Sequence, residues 1–342
     1  MTLNPSSPPS RPLPWARRHS GAAMVIAAVL MTACTVEAQR VEGSFEKTLS
    51  VGQQTDIEIM SGSGSIEVRQ GSAGRVEIRA RVRAGDWGWS RSGLSPQERV
   101  KRIEANPPVE QQGNTVRIGD IKDADLRDGV SISYDVTVPP GTALRSKTGS
   151  GSQRIEGVDG EVVASTGSGS VNIRRSGGRV RASTGSGGIT AQDVGGAFEA
   201  STGSGSIDGM GVKGPVTVRT SSGSIEVSQT GGGDVEASSS SGSVRVRGVQ
   251  GGVRASTTSG SLAIEGQLER EWRLSSSSGH VTVSVPTNQG FELDASSSSG
   301  RINTDFPITV SGTIGKHALR GSARGGGPLL HVRTSSGGIS IQ

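Results

Sequence analysis

The 342-residue chain carries a formal net charge of +5, 53 glycines, one cysteine and only 3% aromatic residues. So few aromatics argue against single-stranded nucleic-acid binding, which relies on stacking platforms, and a lone cysteine excludes a disulfide within the chain. Residues 1–33 hold Arg11, Arg17 and Arg18 and no acid, so taking their three positive charges from +5 leaves +2.

Arg17-Arg18 precede the apolar run Ala22–Met31, too short to span a bilayer and suited to a signal-peptide core. Leu30-Met31-Thr32-Ala33-Cys34 resembles a bacterial lipobox, with Met31 where leucine is usual. On that reading residues 1–33 are a lipoprotein-type signal peptide, Cys34 is the lipidated first residue, and residues 34–40 are a linker. Two other readings stay open. Val36-Glu37-Ala38 suits ordinary signal-peptidase cleavage after Ala38, and Cys34 could be a free cysteine without a role. The first two readings both export the protein.

From residue 41 the pattern has period two. Thr55–Ile59, Ser65–Arg69 and Arg75–Arg79 alternate apolar and polar residues, with Ser61–Gly64 between the first pair. These predict strands. Residues of about 81–145 then form an insertion or cap. Within it, Ser95-Pro96-Gln97-Glu98 is a capping box with proline at the first helical position. It predicts a short helix with Val100 and Ile103 on one face, ending before Asn106-Pro107-Pro108. Strands follow at Thr115–Ile118 and Ser131–Val138. Trp87 and Trp89 lie at the edge of the insertion, either covering its core or presenting an aromatic pair to a glycan.

A marker glycine then recurs at 151, 169, 187, 205, 223, 242, 260, 279 and 300, at spacings of 18, 18, 18, 18, 19, 18, 19 and 21. Each unit reads as two short strands separated by Gly-rich and Ser/Thr/Gly turns, as in Gly169–Ser186. One inward slot carries Val171, Ile189, Ile207, Ile225, Val244, Leu262, Val281 and Ile302. A second carries Val162, Val180, Phe198, Val216, Val253 and Trp272, each followed two residues on by a small or aliphatic residue. Equal spacing and phase let equivalent residues stack, whereas one unit buries too little to fold alone. The expected fold is all-β: a β-solenoid, parallel β-helix-like, of about 18-residue coils over residues 41–342, with a small N-terminal cap containing one short helix. Gly337 lies 37 residues beyond Gly300, which predicts one degenerate coil between them and a loop at Gly325–Gly327.

Concentrated chemistry is missing from the pattern. His280, His317 and His331 share no local motif with other metal ligands, so neither metal nor cofactor is expected. Gly231–Asp234 occurs once and lacks the rhythm of calcium-binding nonapeptides. Asp159, Asp193 and Asp208 fall in different phases, against the acidic cluster of a polysaccharide-active enzyme. Ser165-Thr166-Gly167 and Ser239–Ser241 read as turns rather than a flat ice-binding face. Arg174, Arg175, Arg179, Arg181, Arg245, Arg247 and Arg254 point outward and suit an anionic polymer, though Glu161, Glu199, Glu226 and Glu236 share their faces.

The Ser/Thr-Gly-Ser-Gly-Ser-Val/Ile turns, the block Ile57-Glu58-Ile59…Gly64-Ser65-Ile66-Glu67-Val68 and the strand ending in Val138-Pro139-Pro140-Gly141 resemble the bacterial putative-adhesin family. That family is an exported Gly/Ser-rich β-strand repeat domain of unknown function, and the resemblance covers roughly residues 41–342. It implies no catalytic residue. The expected role is a non-catalytic, exported, adhesin-like or protein-interaction scaffold of the cell envelope, lipid-anchored or else periplasmic or secreted. Its expected partner is an envelope protein or an anionic or glycan surface polymer. The alternatives are an envelope-stress accessory that binds a membrane regulator through the cap, and a polysaccharide-active β-helix enzyme.

Overall fold

Units of constant length and phase stack in parallel, and the computed structural model arranges them as two sheets of 14 and 15 strands. The structure describes residues 40–85, 93–310, 315 and 317–342; the signal peptide, Cys34, Trp87 and Trp89 lie outside them. Each coil gives one strand to each sheet, as Val162–Thr166 and Val171–Ser176 do. The next coil repeats them in register, Val162 beside Val180 and Val171 beside Ile189.

Both predicted inward slots form the core between the sheets. Val171, Ile189, Ile207 and Ile225 are at most 1% exposed, and only Ile302, in an edge strand, is half-buried. Phe198 and Trp272 fill the second slot, and the Trp272 indole N–H donates to the Gly251 carbonyl at 2.9 Å. This pairs the one polar atom that the large ring brings into the core.

The marker glycines stack so closely that no side chain fits. A Cβ on Gly187 would lie 2.0 Å from the Gly169 carbonyl oxygen, and one on Gly169 would lie 2.0 Å from that of Gly151. Three residues before each marker stands a buried threonine or serine. Thr184 Oγ1 donates to the Gly169 carbonyl at 2.9 Å and accepts from the Gly187 N–H at 3.1 Å. Thr166, Thr202, Thr220, Ser239 and Thr257 repeat this staple. The reading of Ser165-Thr166 and Ser239 as turn residues is therefore corrected. They end strands, with Thr166 and Ser239 facing inward. The hydroxyl is tolerated inside because it saturates two backbone groups at the corner.

At the N-terminal end the coils do not stack in chain order. Asp56–Ser61 pairs with both Thr115–Ile118 and Ala143–Thr148, and Ile66–Gln70 pairs with both Val130–Val138 and Gln153–Glu156. The first coil is thus enclosed, and the chain crosses it through Pro139–Thr142. Ser61 Oγ donates outward to the Ile132 carbonyl at 2.7 Å, while Thr148 Oγ1 donates to that of Gly64 at 3.0 Å. Beyond lie Arg75–Ala84 and then Val41–Ser50, both antiparallel.

The helix Pro96–Ala105 forms as predicted, with the Ser95–Glu98 capping box intact and Val100 and Ile103 buried. Glu104 Oε1 accepts from the Ser44 N–H at 2.8 Å, and the Gln111 amide donates to the Ser50 carbonyl at 2.8 Å. Side chains thereby occupy backbone groups of the edge strand that would otherwise invite another chain. A further one-turn helix, Ala124–Arg127, has Asp123 as its N-cap and is too short to give a periodic signal.

At the other end no degenerate coil separates Gly300 from Gly337. Leu329–Thr334 and Ile339–Ile341 insert between the coil of Trp272–Ser276 and Val281–Ser284 and that of Phe291–Ser297 and Ile302–Thr304. Gly337 therefore stacks on Gly279, and Gly300 stacks on Gly337. The intervening Ile308–Val310 and Ala318–Ala323 pair antiparallel, the latter lying along Phe291–Ser297. Spacing misled here because equal motifs carry no record of stacking order.

Candidate functional surface

Parallel register orders the outward residues as strictly as the core. On the 15-stranded sheet, Ser165, Ser183 and Ser201 form one column, continued after Arg219 by Ser238, Ser256 and Ser275. Neighbouring strands lie about 4.8 Å apart, so these are two regular runs of three hydroxyls separated by Arg219. The exposed Ser168, Ser186, Ser204 and Ser222 lie at the adjoining corner. The result is a small-residue, hydroxyl-rich stripe along one side of the solenoid.

Beside the stripe runs a mixed charge column. In it Arg181 pairs with Glu199 at 2.6 Å, and Glu236 pairs at 2.7 Å with Arg219, which interrupts the serine column itself. On the opposite sheet Arg247 pairs with Glu226 at 2.8 Å. Such exposed pairs contribute about 0–1 kcal/mol each, so their main effect is to neutralise the faces. Arg174, Arg245 and Arg254 are exposed and have no ion-pair partner among the described residues. The outward arginines thus do not merge into one basic patch.

The corner after the 14-stranded sheet's strands carries a left-handed residue in most coils. Gly157, Gly211 and Gly248 have φ of 74°, 68° and 72°, but Arg175 and Asp193 hold the same kind of position at 51° and 56°. Left-handed backbone costs a non-glycine residue about 1–2 kcal/mol. Here it turns Arg175 and Asp193 outward into a corner groove of about 530 Å³ that also includes Asp159 and Lys213. Asp159 and Asp193 therefore line one groove two coils apart, with Arg175 on the intervening coil and Lys213 on the coil beyond. Asp208 stands apart on the sheet face beside Glu226, and burial followed by that neighbouring charge raises its pKa.

The remaining sequence candidates disperse. His331 Nδ1 lies 3.3 Å from Asp294, His317 lies near the Gly300 carbonyl, and His280 lies beside Gly338. Among the described residues no three His, Cys, Asp or Glu side chains group as metal ligands. Asp234 of the glycine run accepts from the Gly252 N–H at 2.9 Å and pairs with Arg270 at 3.0 Å. Cys34, Trp87 and Trp89 lie outside the described residues. Sequence reading missed the staple hydroxyls and the left-handed corner. A Ser or Thr three residues before each marker glycine was the available signal for the first.

The family model described as Toastrack DUF4097 matches residues 35–342. No curated protein matches the chain. A putative adhesin from Bacteroides fragilis is 9% identical, with 88% of this chain and 97% of that one covered, at a TM-score of 0.32. A putative cell adhesion protein from Clostridium sporogenes is 10% identical, with 87% and 99% covered, at a TM-score of 0.16. Likenesses this weak transfer neither residues nor roles.

Proposed function

We propose that this chain, which belongs to the Toastrack DUF4097 family, is a non-catalytic, exported and lipid-anchored adhesive scaffold of the cell envelope. The observation that carries this reading is the repeating hydroxyl column Ser165, Ser183, Ser201, Ser238, Ser256 and Ser275, held in register by the parallel ladder. Each hydroxyl offers one weak, interchangeable contact. A polymer with repeating hydroxyls, such as a surface glycan, meets many of them at once, and linked contacts multiply avidity without any strong single site. The neutralised charge column beside them limits non-specific attraction.

Removing one whole repeat, residues 187–204, should leave a folded protein whose retention on immobilised envelope polysaccharide falls. Removing residues 187–222 should lower it further. Retention that ignores coil number but vanishes when the cap residues Lys101 and Arg102 are replaced by Glu would support a regulator bound through the cap instead. Lipid anchoring is tested separately. Cys34→Ser should release the protein from membranes or block its maturation, and an unmodified N-terminus at Gln39 in mass spectrometry would refute the anchor.

A further inference from the structure

The coil formed by Leu329–Thr334 and Ile339–Ile341 is enclosed by two coils that precede it in sequence. It completes both. Leu330, Val332, Ile339 and Ile341 are fully buried. Thr334 Oγ1 donates to the Gly279 carbonyl at 3.2 Å on one side, while the Ser297 hydroxyl donates to that of Gly337 at 2.9 Å on the other. The Val281 N–H donates to Gly338 at 3.0 Å, and the Ile339 N–H donates to Arg301 at 2.9 Å. All these bonds involve one contiguous peptide, joined to the preceding chain through Arg324–Pro328.

That connection is tight, and its strain sits at one non-glycine residue, Arg324. Arg324, Gly325, Gly326 and Gly327 have consecutive positive φ of 50°, 85°, 87° and 152°. They take the chain from Ala318–Ala323, on one side of Phe291–Ser297, to Leu329–Thr334 on its other side. The crossing is so tight that a Cβ on Gly290 would lie 2.5 Å from the Gly326 carbonyl, and one on Gly327 would lie 2.6 Å from that of Gly290. An extended hinge would relieve the left-handed Arg324, and the three glycines adopt extended or left-handed backbone with equal ease, so they leave the hinge free to open. Strained short hinges favour exchange of the element they carry.

We propose that this coil is exchangeable, a second copy of the chain supplying its own Leu329–Ile341 to the same slot. Every ladder bond, staple and core contact of the slot is then reproduced between copies, and only the hinge changes conformation. The occupant is a second copy because the slot is shaped by register to this strand–turn–strand. Trp272 faces Leu330 and Leu274 faces Val332 on one flank, while Leu293 faces Leu330 and Ala295 faces Val332 on the other.

Ser275 and Arg333 are register partners on adjacent strands and both point outward. Adjacent strands, about 4.8 Å apart, lie within the Cα separation that a disulfide spans. Full chains carrying Cys34→Ser with either Ser275→Cys or Arg333→Cys are mixed, unfolded, refolded together and oxidised. Exchange gives a disulfide between position 275 of one copy and 333 of the other, identified by peptide mass spectrometry in a dimer. Gly326→Val, which penalises the tight hinge, should raise the dimer fraction at least tenfold at equal concentration. A doubly substituted chain with both cysteines establishes the geometry by closing the same disulfide within one copy. If it does so while the mixture gives no 275–333 link and Gly326→Val stays monomeric, the proposal is overturned.

Discussion

Replacing Gly187 by alanine tests the stacked corner most directly, because its neighbour Gly188 supplies the control. A Cβ on Gly187 would sit 2.0 Å from the Gly169 carbonyl oxygen, whereas one on Gly188 meets nothing nearer than Ser206 O at 3.5 Å. Relief of the clash cannot come from a rotamer, since both partners are backbone. The corner must open, straining three bonds: Thr184 to the Gly169 carbonyl, the Gly187 N–H to Thr184, and Thr202 to the Gly187 carbonyl. At about 1 kcal/mol for each bond, plus the cost of leaving buried groups unpaired, the expected loss is about 3–5 kcal/mol. Gly188→Ala should change stability by less than about 0.5 kcal/mol, as surface substitutions do. Urea unfolding followed by far-ultraviolet circular dichroism measures both, and amide hydrogen exchange locates the damage at the corners of residues 166–205. Equal effects at 187 and 188, or a loss below about 1 kcal/mol at 187, would refute the close-stacking argument.

Thr184→Val keeps the shape and removes the staple, so it should cost about 1–3 kcal/mol in the same assay, while Thr184→Ser should be close to silent. Ile225→Asp places a charge among stacked aliphatics and should lower stability by several kcal/mol. Its outward neighbour Glu226→Ser loses an exposed pair with Arg247, worth up to about 1 kcal/mol, and also removes the like charge beside Asp208. Asp208 has a raised pKa, so its protonated form favours the folded state. Its contribution is complete below the ordinary value of 3.8 and is lost as pH rises through the raised one. Asp208→Asn should therefore flatten the pH dependence of stability on the alkaline side of 3.8; an unchanged profile in thermal melts from pH 3 to 7 would count against this.

The coil itself was legible because parallel register demands equal length, and Val171, Ile189, Ile207 and Ile225 keep one phase through successive units. The cap helix was legible for a local reason, the Ser95–Glu98 box. Thr166 was hidden because an inward hydroxyl breaks the apolar alternation and sits beside glycine, the composition of a turn. Stacking order was hidden more deeply. Gly279, Gly300 and Gly337 carry the same motif, and only the longer spacing of 21 hinted that Val285–Gly290 bridges an occupied level. The surface was legible only as a repeat, since among the described residues the outward columns mix Ser, Arg and Glu. Arg175 and Asp193 gave no warning, because neither residue type announces left-handed backbone.

The enclosed first coil has a mechanical consequence. Tension entering at residue 40 reaches the strand Val41–Ser50 and then Asp56–Gln70, which is gripped by ladders on both sides. A coil stacked at an open end can peel away one ladder at a time. This one cannot yield until two ladders fail together, and Leu329–Ile341 is gripped in the same way at the far end. Under load the edge strand Val41–Ser50, held by a single ladder, gives way first, and unravelling then stops at the doubly gripped coil behind it.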